Sequence, residues 1–157
     1  MDKKGMKTYI KEWNESYERN ENHILYPKDE VVKFLNRFVR KKMGDNVFRD
    51  ILLKDDFDGR SIRGLDYGCG IGRMTMLLQE FNIEAYGVDI SKTSIQQAKN
   101  LFPIIKNRYL LLDGNSIPFD NEYFDITICE SVIDSMHFDV AKEVMKELER
   151  VTNHYVF

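Results

Sequence analysis

The chain has 157 residues, 43% of them apolar and 12% aromatic, which bounds it to one domain (1–157) able to bury its own core. Its 23 basic and 26 acidic residues leave a net charge of −3, so there is no basic field for nucleic acid, and no apolar run reads as a signal region or a membrane span. Two cysteines, Cys69 and Cys129, are too few and too awkwardly placed for a disulfide framework or a zinc site, so a cytoplasmic protein without a metal, free of membrane and of nucleic acid, is expected.

In chain order, Met6, Tyr9, Ile10, Trp13 and Tyr17 recur at helical spacing and predict a first helix. A second starts at Pro27, with Val31, Phe34, Leu35, Phe38 and Val39 on one face, and the two should pack on the rest as a cap. Lys41 to Arg60 is charged and less periodic, with turn signals at Gly44-Asp45 and Asp58-Gly59; it is read as a short helix around Val47 to Leu53 and then a loop. Residues 1–60 are therefore taken as helical cap and linker, and 61–157 as the core.

From Ile62 the pattern is regular. Strands are predicted at Ile62–Tyr67, Ala85–Asp89, Tyr109–Leu112, Phe124–Glu130 and His154–Phe157. Between them the apolar periodicity predicts helices at Gly72–Phe81, Lys92–Leu101 with Ser91 as N-cap, and Val140–Val151 with Asp139 as cap. In the last of these Ala141, Val144, Met145 and Leu148 should face inward. Strands separated by helices imply right-handed crossovers, hence an α/β fold with a doubly wound, mostly parallel sheet and helices on both faces.

The most informative run is Leu65-Asp66-Tyr67-Gly68-Cys69-Gly70-Ile71-Gly72-Arg73, a strand that ends in a carboxylate and breaks into alternating glycines before a helix. Such a loop lets backbone lie against a ligand without Cβ interference. Asp66 at its mouth would repel a pyrophosphate but suits a ligand carrying positive charge. Acidic residues stand at or just past the ends of four successive strands: Asp66, Asp89, Asp113 and Glu130. In a parallel sheet, ligands bind beyond those ends. Asp89 closes Gly87-Val88-Asp89, where a carboxylate can accept both hydroxyls of a ribose, although capping the helix near Ser91 would use it too. Asp113 opens a loop through Gly114 to Phe119 that could take an adenine amino group; a plain Asp-Gly turn is the alternative. A dinucleotide such as NAD and S-adenosylmethionine both remain open on the glycines alone, and the carboxylates favour the second.

Taken together, the glycine run, Gly87-Val88-Asp89-Ile90-Ser91, Asp113 to Phe119, Phe124 to Ser131 and the helix ending Lys146 to Val151 resemble, in order, the motifs of class I, Rossmann-like S-adenosylmethionine-dependent methyltransferases. The resemblance covers roughly Ile62 to Phe157. It implies S-adenosyl-L-methionine as cofactor and S-adenosyl-L-homocysteine as product. It places Gly68, Cys69 and Gly70 under the methionine and ribose, Asp66 at the ammonium and Asp89 at the ribose. It places Asp113 and Gly114 at the adenine, Glu130 and Ser131 beside the methionine moiety, and Ile90 and Ile117 as apolar walls of the adenine slot. Tyr17 and Tyr26 would be lid contacts from the cap.

Methyl transfer from a sulfonium needs alignment in a water-poor site more than a dedicated catalytic group. For an acceptor that must lose a proton, Asp134 and His137 are the nearest catalytic candidates, sharing one face if that segment is helical; a His137 that braces the loop beside a solvated Asp134 is the alternative. The negative charge and the lack of base-methylating signatures point to a small-molecule acceptor, such as a sugar derivative or other metabolite. The family's sheet runs to seven strands, and strands 6 and 7 are expected to be absent from this chain, so a second copy or a partner chain is expected to cover the last edge. A binding or interaction module without catalysis is therefore the alternative, and a nicotinamide enzyme the third reading.

Overall fold

A computed structural model of the chain describes residues 3–52, 60–114 and 116–157. Asp58-Gly59, Leu53 and Asn115 lie outside the described residues. The first helix, α1 (Lys3–Glu18), matches the predicted spacing. The second is shorter than expected: α2 (Asp29–Phe34) widens into a π-helical turn at Leu35–Val39, which leaves Phe38 exposed rather than on the inward face.

The stretch expected to hold a short helix around Val47 is instead an antiparallel hairpin, β1 (Arg40–Gly44) and β2 (Val47–Asp50). Asn46 sits in the left-handed region (φ 57°), as the tight turn requires. Within the hairpin Arg40 pairs with Asp50, and from outside it Arg40 is held by the carbonyls of Phe81 and Asn82, to which it donates at the far end of α3 (Arg73–Glu80). A charge-rich run of Lys41, Lys42 and Arg49 carries neither period, so contacts such as these, and the Lys42 N–H on Asn36 Oδ1 (3.0 Å), select the hairpin.

The remaining strands are β3 (Arg63–Tyr67), β4 (Glu84–Asp89), β5 (Tyr109–Leu111), β6 (Phe124–Ile128) and β7 (Thr152–Val156). They form one parallel sheet in the order β5-β4-β3-β6-β7. The expectation that strands 6 and 7 are absent is corrected: among the described residues the structure carries seven strands. In chain order β6 and β7 are the last two, because the hairpin supplies two that the sequence pattern hid. The predicted last strand begins two residues early, since α5 (Phe138–Val151) passes into β7 without a loop.

Side chains alternate across β3. Leu65 and Tyr67 pack with Val144 and Leu148 of α5, while Ile62, Ile126 and Ile128 join Val31, Leu35, Leu77 and Leu78 of α2 and α3. Every residue of β6 is buried, as a strand covered on both faces requires. Each fully buried Ile, Leu or Val contributes roughly 1.5–3 kcal/mol. Ser91 caps α4 (Lys92–Leu101) as expected, its hydroxyl accepting from the Ser94 N–H. Asp139 does not cap α5: His137 holds the N-cap position without a side-chain bond, and Asp139 lies in the first turn. Met145 faces out at 58% exposure, because the buried stripe runs through Val140, Ala141, Val144, Leu148 and Val151. The strand order reverses between β3 and β6, and the crevice beyond their carboxyl ends is where such a fold takes a ligand.

Candidate functional site

The glycine loop leaves β3 at that crevice. Its amides are drawn inward: Gly68 and Cys69 donate to the Val88 carbonyl (2.8 and 3.0 Å), and Gly70 donates to Asp89 Oδ2 (2.9 Å). Gly68, Gly70 and Gly72 all have positive φ and no room for a Cβ, and the first two border the crevice. At Gly68 (φ 70°) a Cβ would lie 2.5 Å from a methyl of Val132, and at Gly70 (φ 53°) 2.5 Å from the Tyr17 hydroxyl. The loop therefore touches β6's exit on one side and α1 on the other.

The four carboxylates differ in state. Asp66 is buried and accepts from the Thr75 hydroxyl (2.7 Å); burial pushes its carboxyl up to about 7, against the lowering effect of that bond, with the nearby Asp89 charge adding to the rise. Asp89 is also buried and raised by burial, opposed by the N–H groups of Ser91 (2.7 Å on Oδ1) and Gly70. Glu130 receives Arg73 (3.1 Å), Lys28 (3.2 Å) and the Ser131 hydroxyl; burial would raise it, but these three contacts together hold it low. Asp113 is exposed and, with Gly114, outside the walls of the clefts described next. The acidic row read from the sequence is thus uneven: two buried acids, one neutralised by two cations, and one at the surface.

Two clefts open above the loop. One, of about 490 Å³, is walled by Asp89, Ile90, Leu112 and Val132. The other, of about 600 Å³, is walled by Asp66, Cys69, Gly70, Arg73 and Glu130. Trp13, Tyr17, Gly68 and Ser131 belong to both, so the clefts are two ends of one elongated site divided by aromatic rings. Those rings come from α1, which is tied across the site. Tyr9 bonds Ser135 through their hydroxyls (3.0 Å), Asn14 accepts from the Ser91 hydroxyl (2.8 Å) and the Thr93 N–H (3.2 Å), and Gln97 donates to the Tyr17 carbonyl (3.1 Å).

Tyr17 is buried at the centre of the site, where the cap reading put it. Tyr26 is not: the residue is 85% exposed, and its carbonyl accepts from Arg73 (3.2 Å). Ile117 is fully buried in the core packed under α5, and its N–H donates to Glu147 (2.9 Å); it walls neither cleft. Asp134 and His137 are exposed and wall neither cleft. Their shared helical face does not form, because Asp134 sits in a short 3₁₀ turn (Ile133–Ser135) and the chain is extended at Met136 before α5 begins. His137 instead lies 3.6 Å from Asp139.

Sequence reasoning missed Tyr9, Trp13 and Arg73. The first two carried only the spacing of a core helix, and the third closed the glycine run without a visible partner. No activated nucleophile faces the site among the described residues: burial pushes the Cys69 thiol well up and that of Cys129 up to about 12. Nor does any cluster of His, Cys, Asp and Glu among them stand ready to hold a metal, and no helix among them is long and apolar enough to cross a membrane. The arrangement suits a long molecule with a diol at Asp89 and a cation near Asp66.

A family model described as a methyltransferase domain matches residues 65–154. The chain is 40% identical over 62 residues to the malonyl-[acyl-carrier protein] O-methyltransferase of Salmonella typhimurium, covering 40% of this chain and 24% of that protein. Among solved structures, the PH0226 protein of Pyrococcus horikoshii is 27% identical with a TM-score of 0.55, over 62% of this chain and 47% of that one. The [4+2]-cyclase SpnF, 18% identical with a TM-score of 0.56 over 80% of this chain and 41% of its own, shares the fold. The chain thus spans about a quarter of the curated relative and under half of either solved structure.

Proposed function

The chain belongs to the methyltransferase domain family, whose cofactor is S-adenosylmethionine, and on that premise we propose that it transfers a methyl group to a small-molecule acceptor by in-line displacement. The observation that carries this reading is the divided site itself: a glycine cradle that side chains would fill, with Asp89 at one end and Asp66 at the other. These residues fit the cofactor. Asp89 would accept the ribose hydroxyls, Ile90 and Leu112 would flank the adenine, Gly68 to Gly70 would underlie the chain, and Asp66 would face the ammonium. When bound, the cofactor supplies a methyl group already activated on a sulfonium. The protein then has to orient the acceptor and keep water out, and Tyr9, Trp13 and Tyr17 form an aromatic roof suited to the second task. The name of the Salmonella relative supports oxygen as the acceptor atom.

Trp13 is the chain's one tryptophan and walls both clefts, so its fluorescence should report loading. Titration with S-adenosylmethionine or S-adenosylhomocysteine should change it saturably, and NADH should not compete. Absence of binding by both sulfur ligands would overturn the proposal. Methyl transfer from radiolabelled cofactor should then be found on a panel of carboxylic acids and alcohols; binding without transfer to any of them would favour a binding module.

Asp66 makes loading pH-dependent. Burial leaves it proton-bearing below about 7, whereas a ligand ammonium prefers the carboxylate. Binding should therefore release a proton at acidic pH, and affinity for S-adenosylhomocysteine should rise from pH 5.5 to 7, a range in which the ligand's α-ammonium, beside its own carboxylate, stays charged. Calorimetry in buffers of different ionisation enthalpy checks the release, and Asp66→Asn should flatten the pH profile. Folding carries the opposite sign. A carboxyl raised in the folded state stabilises at low pH and loses that contribution as pH climbs toward 7.

A further inference from the structure

The hairpin of β1 and β2 precedes residues 65–154, so it is an addition to the part of the chain that matches the methyltransferase family. Strand alternation puts Arg40, Phe48 and Asp50 on its inner face, where they are buried or half-buried. The outer face carries Lys41 and Met43 from β1 and Val47 and Arg49 from β2, all four exposed. The register sets Lys41 directly opposite Arg49. Like charges so placed destabilise a two-stranded ladder, which is marginal to begin with. Among the described residues neither of these cations has an ion pair, whereas on the inner face Arg40 pairs with Asp50 and Lys42 stands 3.9 Å from Glu80. An uncompensated pair of cations complements an anion.

The neighbours of the pair indicate which anion. Met43 and Val47, 62% and 54% exposed, flank the turn and so lie nearer the hairpin's tip than the cations do. The other end of the hairpin is fixed to the body through Arg40 and the carbonyls of Phe81 and Asn82. From the tip inward the face therefore offers an apolar pair and then a cationic pair. That is the order in which a bilayer presents its acyl boundary and its headgroups to an element dipped into it. A phosphate in solution or on a nucleic acid would use the cations and leave the apolar pair in water. The net charge of −3 conceals this local face.

We propose that the outer face of the hairpin docks on an anionic lipid surface, with Lys41 and Arg49 at the headgroup phosphates and Met43 and Val47 at the acyl boundary. α3 runs from the glycine loop to the hairpin's anchor, so the hairpin lies at the end of the sheet opposite the crevice and a docked chain keeps its clefts open to water. Attachment is reversible, because each cation near the surface contributes only about fivefold. Asp45, the one acid of the turn, opposes it. This inference is independent of the cofactor reading.

The test is co-sedimentation of the full chain with vesicles of phosphatidylcholine containing about a third phosphatidylglycerol, in about 0.05 M salt. These vesicles should retain the chain, and pure phosphatidylcholine should not. Lys41→Gln combined with Arg49→Gln should lower the partition by about 25-fold. That change removes a repulsion, so the thermal midpoint should not fall, and saturable binding of S-adenosylhomocysteine should match that of the parent. Met43→Ser combined with Val47→Ser should weaken retention at every salt concentration, and Asp45→Asn should strengthen it. Absence of retention by the anionic vesicles, or retention undiminished in the Lys41 and Arg49 variant, overturns the proposal. So does a Met43 and Val47 variant that binds like the parent while soluble polyglutamate displaces both, which would assign the face to an acidic protein.

Discussion

Asp89→Ala is expected to weaken S-adenosylmethionine binding by at least about 100-fold, the scale of two lost charge-assisted hydrogen bonds. Asp89 ends β4 at the crevice and turns both oxygens toward the site floor, where they hold the N–H groups of Gly70 and Ser91. Each oxygen keeps a second lone pair, so the carboxylate can accept ribose hydroxyls while still bracing the loop. Alanine removes both functions, and the two amides it frees lie where Asp89 itself is buried, each then costing about 1–3 kcal/mol unless water reaches it. Loop and ligand contact should fail together. Asp89→Asn separates them, since its amide oxygen can still receive one N–H but its NH₂ group cannot. Trp13 fluorescence titration measures affinity, and the thermal midpoint measures the loop. An alanine variant that binds within threefold of the parent would remove Asp89 from the ligand site.

Asp125→Ala should lower stability by about 3–5 kcal/mol, the usual cost of breaking a buried ion pair by removing one partner. Asp125 is fully buried near the start of β6 and accepts both guanidinium nitrogens of Arg60 (2.7 and 2.8 Å) and the Arg63 N–H (2.7 Å). It ties the entry of β3 to β6, the two strands whose far ends bracket the ligand crevice. Such a loss is a large share of the roughly 5–15 kcal/mol that holds a domain folded. Urea denaturation should show a lower midpoint, whereas Asp134→Ala, at an exposed position, should stay within about 0.5 kcal/mol. Ligand affinity of the folded Asp125 variant should be unchanged, because the pair lies at the opposite end of the sheet from the clefts. A midpoint equal to the parent's would show that Arg60 and the Arg63 amide find water or other partners at little cost.

Much of the core could be read from the chain because its signals are local. Phe124, Ile126 and Ile128, alternating along one strand, and Ala85 to Val88 between two acids mark the central strands, and the glycines at 68, 70 and 72 announce positive φ. The placement of Asp66 and Asp89 at the crevice follows from strand ends alone. Other features depended on partners distant in sequence. The hairpin of Arg40–Asp50 exists through its reach to Phe81 and Asn82, about 40 residues on. Met145 sits one step off the buried stripe of α5, a difference that helical period alone does not resolve.

The candidate site divides in the same way. Backbone-driven parts, the glycine cradle and the two buried acids, are determined by the sequence itself, since φ preference and strand termini are properties of a few neighbouring residues. The tertiary structure alone decided that Tyr9 and Trp13 roof the cleft rather than fill the core, that Asp134 and His137 stand outside it, and that Glu130 faces Arg73 and Lys28. The reason is physical: side-chain exposure and the charge a carboxylate meets are set by elements packed from elsewhere in the chain. An aromatic stripe or an acidic strand end has the same local pattern in a core, a lid or an ion pair.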